Sequence, residues 1–399
     1  RRREREGAEA LPIVERALAA GAEPEPEPEV VRAQLLAMRQ LLPGASSASL
    51  LAPLPAAELR ADERSPRRRP VPPLRRSLGQ TGIAVSPLGL SGAYDPPATA
   101  IRAALRAGVN MFFWEPRYLG LTRFLRHRFQ VSGRRAETVV VAGSFEGDRI
   151  GIERDVAQAL RRLGTDYIDV FLLLWVRSPE RLCAEARECL QELKRQGRIR
   201  AFGFSTHHRE LAAQAIAGPG DAPPASAPEW DVLMLRHSAA HPGAEDRLLP
   251  LCARRGVGVI TFSALSYGRL LRPVALGDEP SRLPTAGECY RYSLGQPGVA
   301  ACWSAPRSAR ELRENLELLP VLARPLTAET IARLRAHGRK VREEDHRWSA
   351  LLRKGHEGAP EALAMLAQED LRIEKDARPV LADVGDASRL SWRGRSEKI

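Results

Sequence analysis

His237 and His241 flank Ser238-Ala239-Ala240 beside Arg236 and Glu245, a pattern that suits an acid–base pair or an anion-binding cluster. Two partly exposed loop histidines are the plainer reading of the same residues. His207-His208 invites a metal, but adjacent side chains project in different directions and no carboxylate pair lies close enough to complete a ligand set; solvated loop residues are expected there. The five cysteines, Cys183, Cys189, Cys252, Cys289 and Cys302, have neither CxxC spacing nor a histidine at ligand distance, so buried reduced thiols and no metal are expected. Trp114, Trp175 and Trp303 either form an aromatic pocket for a flat ligand or plug a space that polar residues have left.

These residues need elements to position them. Between residues 75 and 320, short β-branched runs alternate with longer helical patterns, the mark of repeated βα units. Eight strands are expected at 85–90, 109–113, 138–143, 168–174, 199–205, 232–236, 258–263 and 299–303. Helices between them include 98–107, 152–163, 179–196, 244–255 and 308–319. Eight units close most naturally into an α/β fold of the (β/α)8 TIM-barrel type, with reactive groups at the C-terminal ends of the strands. That places a site near residues 91–95, 113–118, 144, 174, 205–208, 236–241, 263–270 and 304–308.

Around the barrel the sequence reads as a Pro-rich N-terminal extension over 1–74, a barrel over 75–335, and a helical then polar C-terminal extension over 336–399. One amphipathic helix is expected within 30–42, a charged helix from about 326 to 352, and a short one over 360–371. Docking of a protein partner through these extensions is one role open to them. The chain opens Arg-Arg-Arg-Glu-Arg with neither Met nor an apolar leader, which reads as a fragment end.

The formal charge of +12 would suit nucleic acid, yet only five of the 61 basic residues are lysine and no basic helix carries interleaved aromatics. Such an arginine skew fits coding bias better than a phosphate-binding surface, so no nucleic acid is expected. The longest apolar run, Val170–Val176, is far short of the roughly 18 residues of a spanning helix, so no membrane and a cytoplasmic location are expected.

Several strings resemble those of the aldo/keto reductase family. Leu78-Gly79-Gln80-Thr81-Gly82 followed by Val85-Ser86-Pro87-Leu88-Gly89-Leu90 is similar to its opening hairpin and first strand. Ala107-Gly108-Val109-Asn110, Leu163-Gly164-Thr165-Asp166-Tyr167-Ile168-Asp169, Gly197-Arg198-Ile199-Arg200-Ala201-Phe202-Gly203, and Arg307-Ser308 with Glu314-Asn315 follow in the family's order. Together they cover about 75–335 and imply a barrel opened by an N-terminal hairpin, a NADP or NAD cofactor, and reduction of a small-molecule carbonyl.

The resemblance also implies a Tyr proton donor tuned by Lys and His, with an Asp that orients the Lys. A phenol near pKa 10 is a poor acid at neutral pH until a cation lowers it. Here Tyr118 keeps the tyrosine position, while Phe113 stands for the Asp, Ser144 for the Lys and Leu174 for the His. Tyr118 is either the retained donor or a rim tyrosine. At the nicotinamide end Ser205-Thr206 replaces Ser-Asn, Met234 replaces Gln, and His237 replaces the stacking aromatic, with His237 a second candidate proton donor. The phosphate-proximal end is closer to the family: Ser263, Leu265, Gly268 and Leu270 match the loop after the seventh barrel strand, and Arg307, Ser308, Glu314 and Asn315 match the adenosine clamp. A helix beginning near Ser308 supplies backbone donors to phosphate. Glu311, where the family has Arg or Gln, is expected to weaken attraction for a 2′-phosphate. Two functions follow: a divergent oxidoreductase, or a pseudoenzyme barrel serving as a nucleotide-responsive or protein-binding module.

Overall fold

In the computed structural model, residues 74–218, 228–274 and 282–356 are described. The expected helices at 30–42 and 360–371 lie outside them. A two-stranded antiparallel hairpin, β1 (Arg76–Ser77) and β2 (Ala84–Val85), precedes a closed barrel of eight parallel strands. These are β3 (Leu88–Ser91), β4 (Met111–Phe113), β5 (Val139–Ser144), β6 (Ile168–Leu173), β7 (Ile199–Thr206), β8 (Val232–Arg236), β9 (Gly258–Phe262) and β10 (Val299–Ser304). They pair in chain order, and β10 closes on both β9 and β3.

The helices are α1 (Ala98–Arg106), α2 (Leu119–Gln130), α3 (Arg149–Leu163), α4 (Ala184–Arg195), α5 (Arg209–Ala217), α6 (Leu248–Arg255), α7 (Ala286–Leu294), α8 (Ala309–Glu317) and α9 (Ala328–His356). The (β/α)8 barrel with its hairpin is therefore as expected. One strand expected at 85–90 is two, because Pro87 has no N–H and the Ser86 N–H donates to Asn110 Oδ1 at 2.7 Å. The helix expected at 179–196 is a short 3-10 turn, Pro179–Leu182, followed by α4, with extended backbone at Cys183 between them.

Side chains alternate across each strand. Met111, Val141, Val170, Leu172, Ala201, Met234, Ile260 and Ala301 fill the barrel, while Phe112, Val140, Phe171, Phe202 and Leu233 face the helices. The hairpin closes the N-terminal end: Leu78, Ile83 and Val85 join the inner cluster. Gly79 there has φ 54°, and a Cβ on it would lie 2.3 Å from the amide nitrogen of Gly258, so only glycine fits.

Several family-like strings prove to be joints of this scaffold. Gly164 ends α3 in a left-handed conformation. Asp169, fully buried, accepts from Arg135 Nη2 at 2.8 Å, Arg200 Nη1 at 2.7 Å and the Val140 amide at 2.9 Å, tying β6 to its neighbours. Asn110 links β4 to the hairpin through Ser86 and the carbonyl of Ala84. Among the described residues no helix is long and apolar enough to cross a membrane.

Candidate active site

The C-terminal ends of the strands carry the residues singled out above. Inward positions at this end are Phe113, Leu174, Met234, Phe262 and Trp303, an apolar layer continuous with the barrel core. The Trp303 indole is buried, tilts against Phe113 with centroids 5.5 Å apart, and donates its N–H to Met234 Sδ at 3.0 Å. Gly89 on β3 admits this ring: a Cβ there would lie 2.4 Å from Trp303 Cζ3. Trp303 thus plugs the mouth. Trp114 faces outward into the helix layer and donates to Thr122 Oγ1 at 2.8 Å. Half-buried Trp175 sits in left-handed backbone at φ 51°, with the Arg177 guanidinium 5.4 Å from its ring.

Tyr118 caps the start of α2, and its ring lies against Gly92, where a Cβ would come within 2.6 Å of Cδ2. Its hydroxyl donates to Glu115 Oε1 at 2.6 Å, and Arg117 Nη2 reaches the same oxygen at 3.0 Å. Burial and then the adjacent Glu115 carboxylate push the phenol's pKa well above the usual tyrosine range, outweighing the opposing pull of Arg117. Ser144, expected at the place of the lysine, projects away from the mouth: its hydroxyl donates to Asp155 Oδ2 on α3 at 2.6 Å. The inward position on β5 is Gly143, one residue earlier, which shows how a single-residue offset exchanges the faces of a strand. A cation does approach these strand ends. Arg181 donates to the carbonyls of Leu174 at 2.7 Å and Glu146 at 2.8 Å. Arg181 lies within the span 179–196 expected to be one continuous helix, so the sequence pattern does not single it out.

At the nicotinamide end the polar side chains serve the backbone. Ser205 Oγ accepts from the Trp175 amide at 2.7 Å, while Thr206 Oγ1 donates to the carbonyl of Val176 at 2.6 Å and accepts from the His208 amide at 2.9 Å. His237 is not at an open mouth, contrary to the exposed loop position expected for it. Its fully buried ring stacks on Tyr292 at 5.7 Å, with Nδ1 2.9 Å from Ser293 Oγ and Nε2 3.1 Å from Glu245 Oε1. Tyr292 donates to Glu245 at 2.6 Å, and Arg335 from α9 reaches the same carboxylate. Burial pushes the Glu245 pKa up, but the bonds from His237 and Tyr292 and the charge of Arg335 prevail and hold it below the ordinary value. His241 is also buried, with Nδ1 3.4 Å from Ser238 Oγ. Tyr292, Ser293 and Arg335 gave no sequence signal, being spread over two helices far along the chain. His207 tilts against Phe262, centroids 5.3 Å apart. Among the described residues no group of three or more His, Cys, Asp or Glu is placed to hold a metal.

The loop after β9 is the most contorted segment of this end. Ser263, Ser266, Tyr267 and Gly268 have φ of 57°, 46°, 56° and 89°. Leu270 is buried and Leu265 packs beside it. Ser266, absent from the expected set, is buried, and its hydroxyl has no hydrogen-bond partner among the described residues. After β10, Ser308 caps α8 by accepting from the Glu311 amide at 3.2 Å, and Glu311 Oε2 accepts from the Arg307 amide at 2.7 Å. The Arg307 guanidinium lies 5.3 Å from the Tyr94 ring. Asn315 is buried and donates to Ser304 Oγ at 3.0 Å, whereas Glu314 is turned towards Arg310 at 2.8 Å. The structure therefore gathers Arg307 and Ser308 at one helix start and directs Glu314 and Asn315 elsewhere.

Residues 95–282 match the sequence profile of the Aldo/keto reductase family. An NADH-specific methylglyoxal reductase of Escherichia coli is 34% identical over 125 residues, 30% of this chain and 34% of that protein. The chain thus matches about a third of that reductase's length. L-galactose dehydrogenase of Arabidopsis thaliana is 26% identical over 265 residues, covering 59% of this chain and 77% of that one. In fold, the chain is similar to the holo form of an aldo-keto reductase from Bacillus halodurans, with a TM-score of 0.55 and 23% identity over 67% of this chain and 96% of the other.

Proposed function

The chain belongs to the aldo/keto reductase family, and on that premise we propose an oxidoreductase of a small carbonyl–alcohol pair that holds NAD(H) or NADP(H) chiefly by its phosphate and adenosine end. The observation that carries this reading is Ser266. A buried hydroxyl with no partner costs about 1–3 kcal/mol, and it sits in the β9 loop whose backbone turns through left-handed conformations. A phosphate oxygen accepting from Ser266 would remove that cost, so the residues present fit the group. Ser263, Leu265, Gly268 and Leu270 form the rest of this loop, with Arg307 and Ser308 beside them in the barrel order.

The nicotinamide end contributes less, since Ser205 and Thr206 are engaged with backbone and Met234 with Trp303. Glu311 already supplies a carboxylate to the Arg307 amide, which disfavours a further anion there and supports NADH over NADPH. The NADH-specific reductase among the relatives points the same way.

When bound, the dinucleotide supplies the hydride. The chain's own part is to position the carbonyl at an apolar mouth and to manage one proton at Tyr118. Phe113 and Leu174 carry no charge and Ser144 faces α3, so no side chain of these positions activates the phenol as an acid. Reduction of simple aldehydes at neutral pH is then slow, because proton donation normally contributes about 10² to 10⁴ in rate.

Titration calorimetry with ADP-ribose, NADH and NADPH tests the reading. ADP-ribose is expected to bind nearly as well as NADH, and Ser266→Ala and Arg307→Ala to weaken both. No heat from any of the three at millimolar concentration would refute it.

A further inference from the structure

Glu115 has no part in the chemistry expected from the sequence, yet its carboxylate accepts a hydrogen bond from the Tyr118 hydroxyl. We propose that Glu115 is the partner through which Tyr118 exchanges its proton, so that the two form a carboxylate-backed base suited to alcohol oxidation. The proposal rests on the oxidoreductase reading above.

The geometry is that of a proton relay. The Tyr118 Oη–H points at Glu115 Oε1 across 2.6 Å, and both residues are buried, at 5% and 8% exposure. Arg117, about a third exposed, touches the same carboxylate oxygen at 3.0 Å and lies 5.3 Å over the phenol ring, so it connects the pair to solvent and favours a negative charge on it. Two further charged groups bind this turn, Arg162 of α3, which donates to the carbonyl of Pro116 at 2.7 Å, and Asp95, which accepts from the Gly120 amide at 2.7 Å, while α2 itself carries Arg123, Arg126, His127 and Arg128. Phe113 and Leu121 supply the apolar remainder.

In oxidation the substrate O–H bond breaks and its proton forms a bond to Tyr118 Oη. The Tyr118 proton passes in the same event to Glu115 Oε1, which later releases it to water past Arg117. The hydride goes to the oxidised nicotinamide, so two electrons and one proton are accounted for. The reverse reaction needs Glu115 protonated at the outset. Because oxidation releases one proton and reduction takes one up, oxidation gains towards alkaline pH and reduction towards acid pH. Without Glu115 the phenol would first have to lose its proton to solvent before it could accept the one leaving the alcohol, and burial opposes that ionisation.

The test uses the full chain labelled with 3-fluorotyrosine. The six tyrosines give few fluorine resonances, and the one missing in Tyr118→Phe identifies Tyr118. In Glu115→Gln this resonance is expected to move and its titration midpoint to fall by at least one pH unit, a tenfold change, whereas Glu115→Asp keeps it near the wild-type position. Oxidation of benzyl alcohol and cyclohexanol with NAD⁺ is expected to fall about 100-fold in Glu115→Gln, to lose its rise with pH, and to recover to within about tenfold in Glu115→Asp. A Tyr118 resonance that titrates alike in wild type and Glu115→Gln overturns the relay while leaving dinucleotide binding untouched. So does a moved resonance with unchanged oxidation at every pH. Failure of the oxidoreductase reading is recognised separately, by calorimetry that detects no dinucleotide.

Discussion

Replacing Gly89 with alanine tests whether Trp303 really fills the barrel mouth. The new methyl would stand 2.4 Å from Trp303 Cζ3, 2.7 Å from Cε3 and 2.5 Å from Met111 Cε. Carbon atoms prefer about 3.5–4.0 Å, so the neighbours must retreat by roughly 1 Å. Met111 is flexible and can turn away. Trp303 cannot, because it is rigid, bound to Met234 and braced against Phe113. Overpacking of this kind costs about 1–3 kcal/mol, and the upper part of that range is expected here. For a barrel of this size that corresponds to a fall in melting temperature of roughly 4–10 °C. In a Trp303→Leu background the space is vacated, and the substitution becomes neutral or gains up to about 1 kcal/mol from the stiffer strand residue. The double-mutant cycle should then show coupling of about 2–3 kcal/mol, measured from urea unfolding followed by circular dichroism, provided the slopes agree. Gly89→Ala within about 0.5 kcal/mol of the wild type, or coupling below that value, would refute the placement of the indole.

Three further outcomes are expected. Glu245→Gln leaves the buried His237 and Tyr292 facing a weaker acceptor and should cost about 2–4 kcal/mol in the same unfolding assay, with no change in dinucleotide affinity. Glu311→Gln removes the carboxylate at the start of α8 and should raise the affinity for NADPH relative to NADH by about two- to fivefold in calorimetry, the scale of a charge at a helix terminus. Burial lowers the pKa of His337, so the unfolded chain takes up a proton that the folded one resists; stability should fall as pH drops from its ordinary 6.5 towards its lower folded value. Melting curves at pH 7.5 and 5.5 should show a smaller loss for His337→Leu than for the wild type.

The sequence alone determined the barrel. Eight β-branched runs separated by helical patterns leave little choice but closure into a parallel sheet, and the strand ends from 232 to 236 coincide with those expected. Where bounds moved, local chemistry explains them, as at Pro87. Eight βα units imply helices at α2, α5 and α7 too, but the sequence pattern sets no bounds for them; Arg123, Arg126 and Arg128 interrupt the apolar pattern of α2, and tertiary packing supplies the stability that the pattern obscures. Tertiary structure alone decided which side chains meet. A two-residue period places Phe113 and Leu174 at the mouth, but only the packed barrel turns Ser144 towards Asp155 and brings Trp303 over Gly89. The enclosure of His237 depends on Tyr292, Ser293 and Arg335, separated from it by 55 to 98 positions, for which no local pattern exists. Glu115 lies three residues from Tyr118, close enough to be seen in sequence, yet its meaning depends on a turn that aims the phenol at its carboxylate. Spacing along a chain specifies elements because their periods are local, whereas a site is made of contacts that only closure of the barrel brings within hydrogen-bond range.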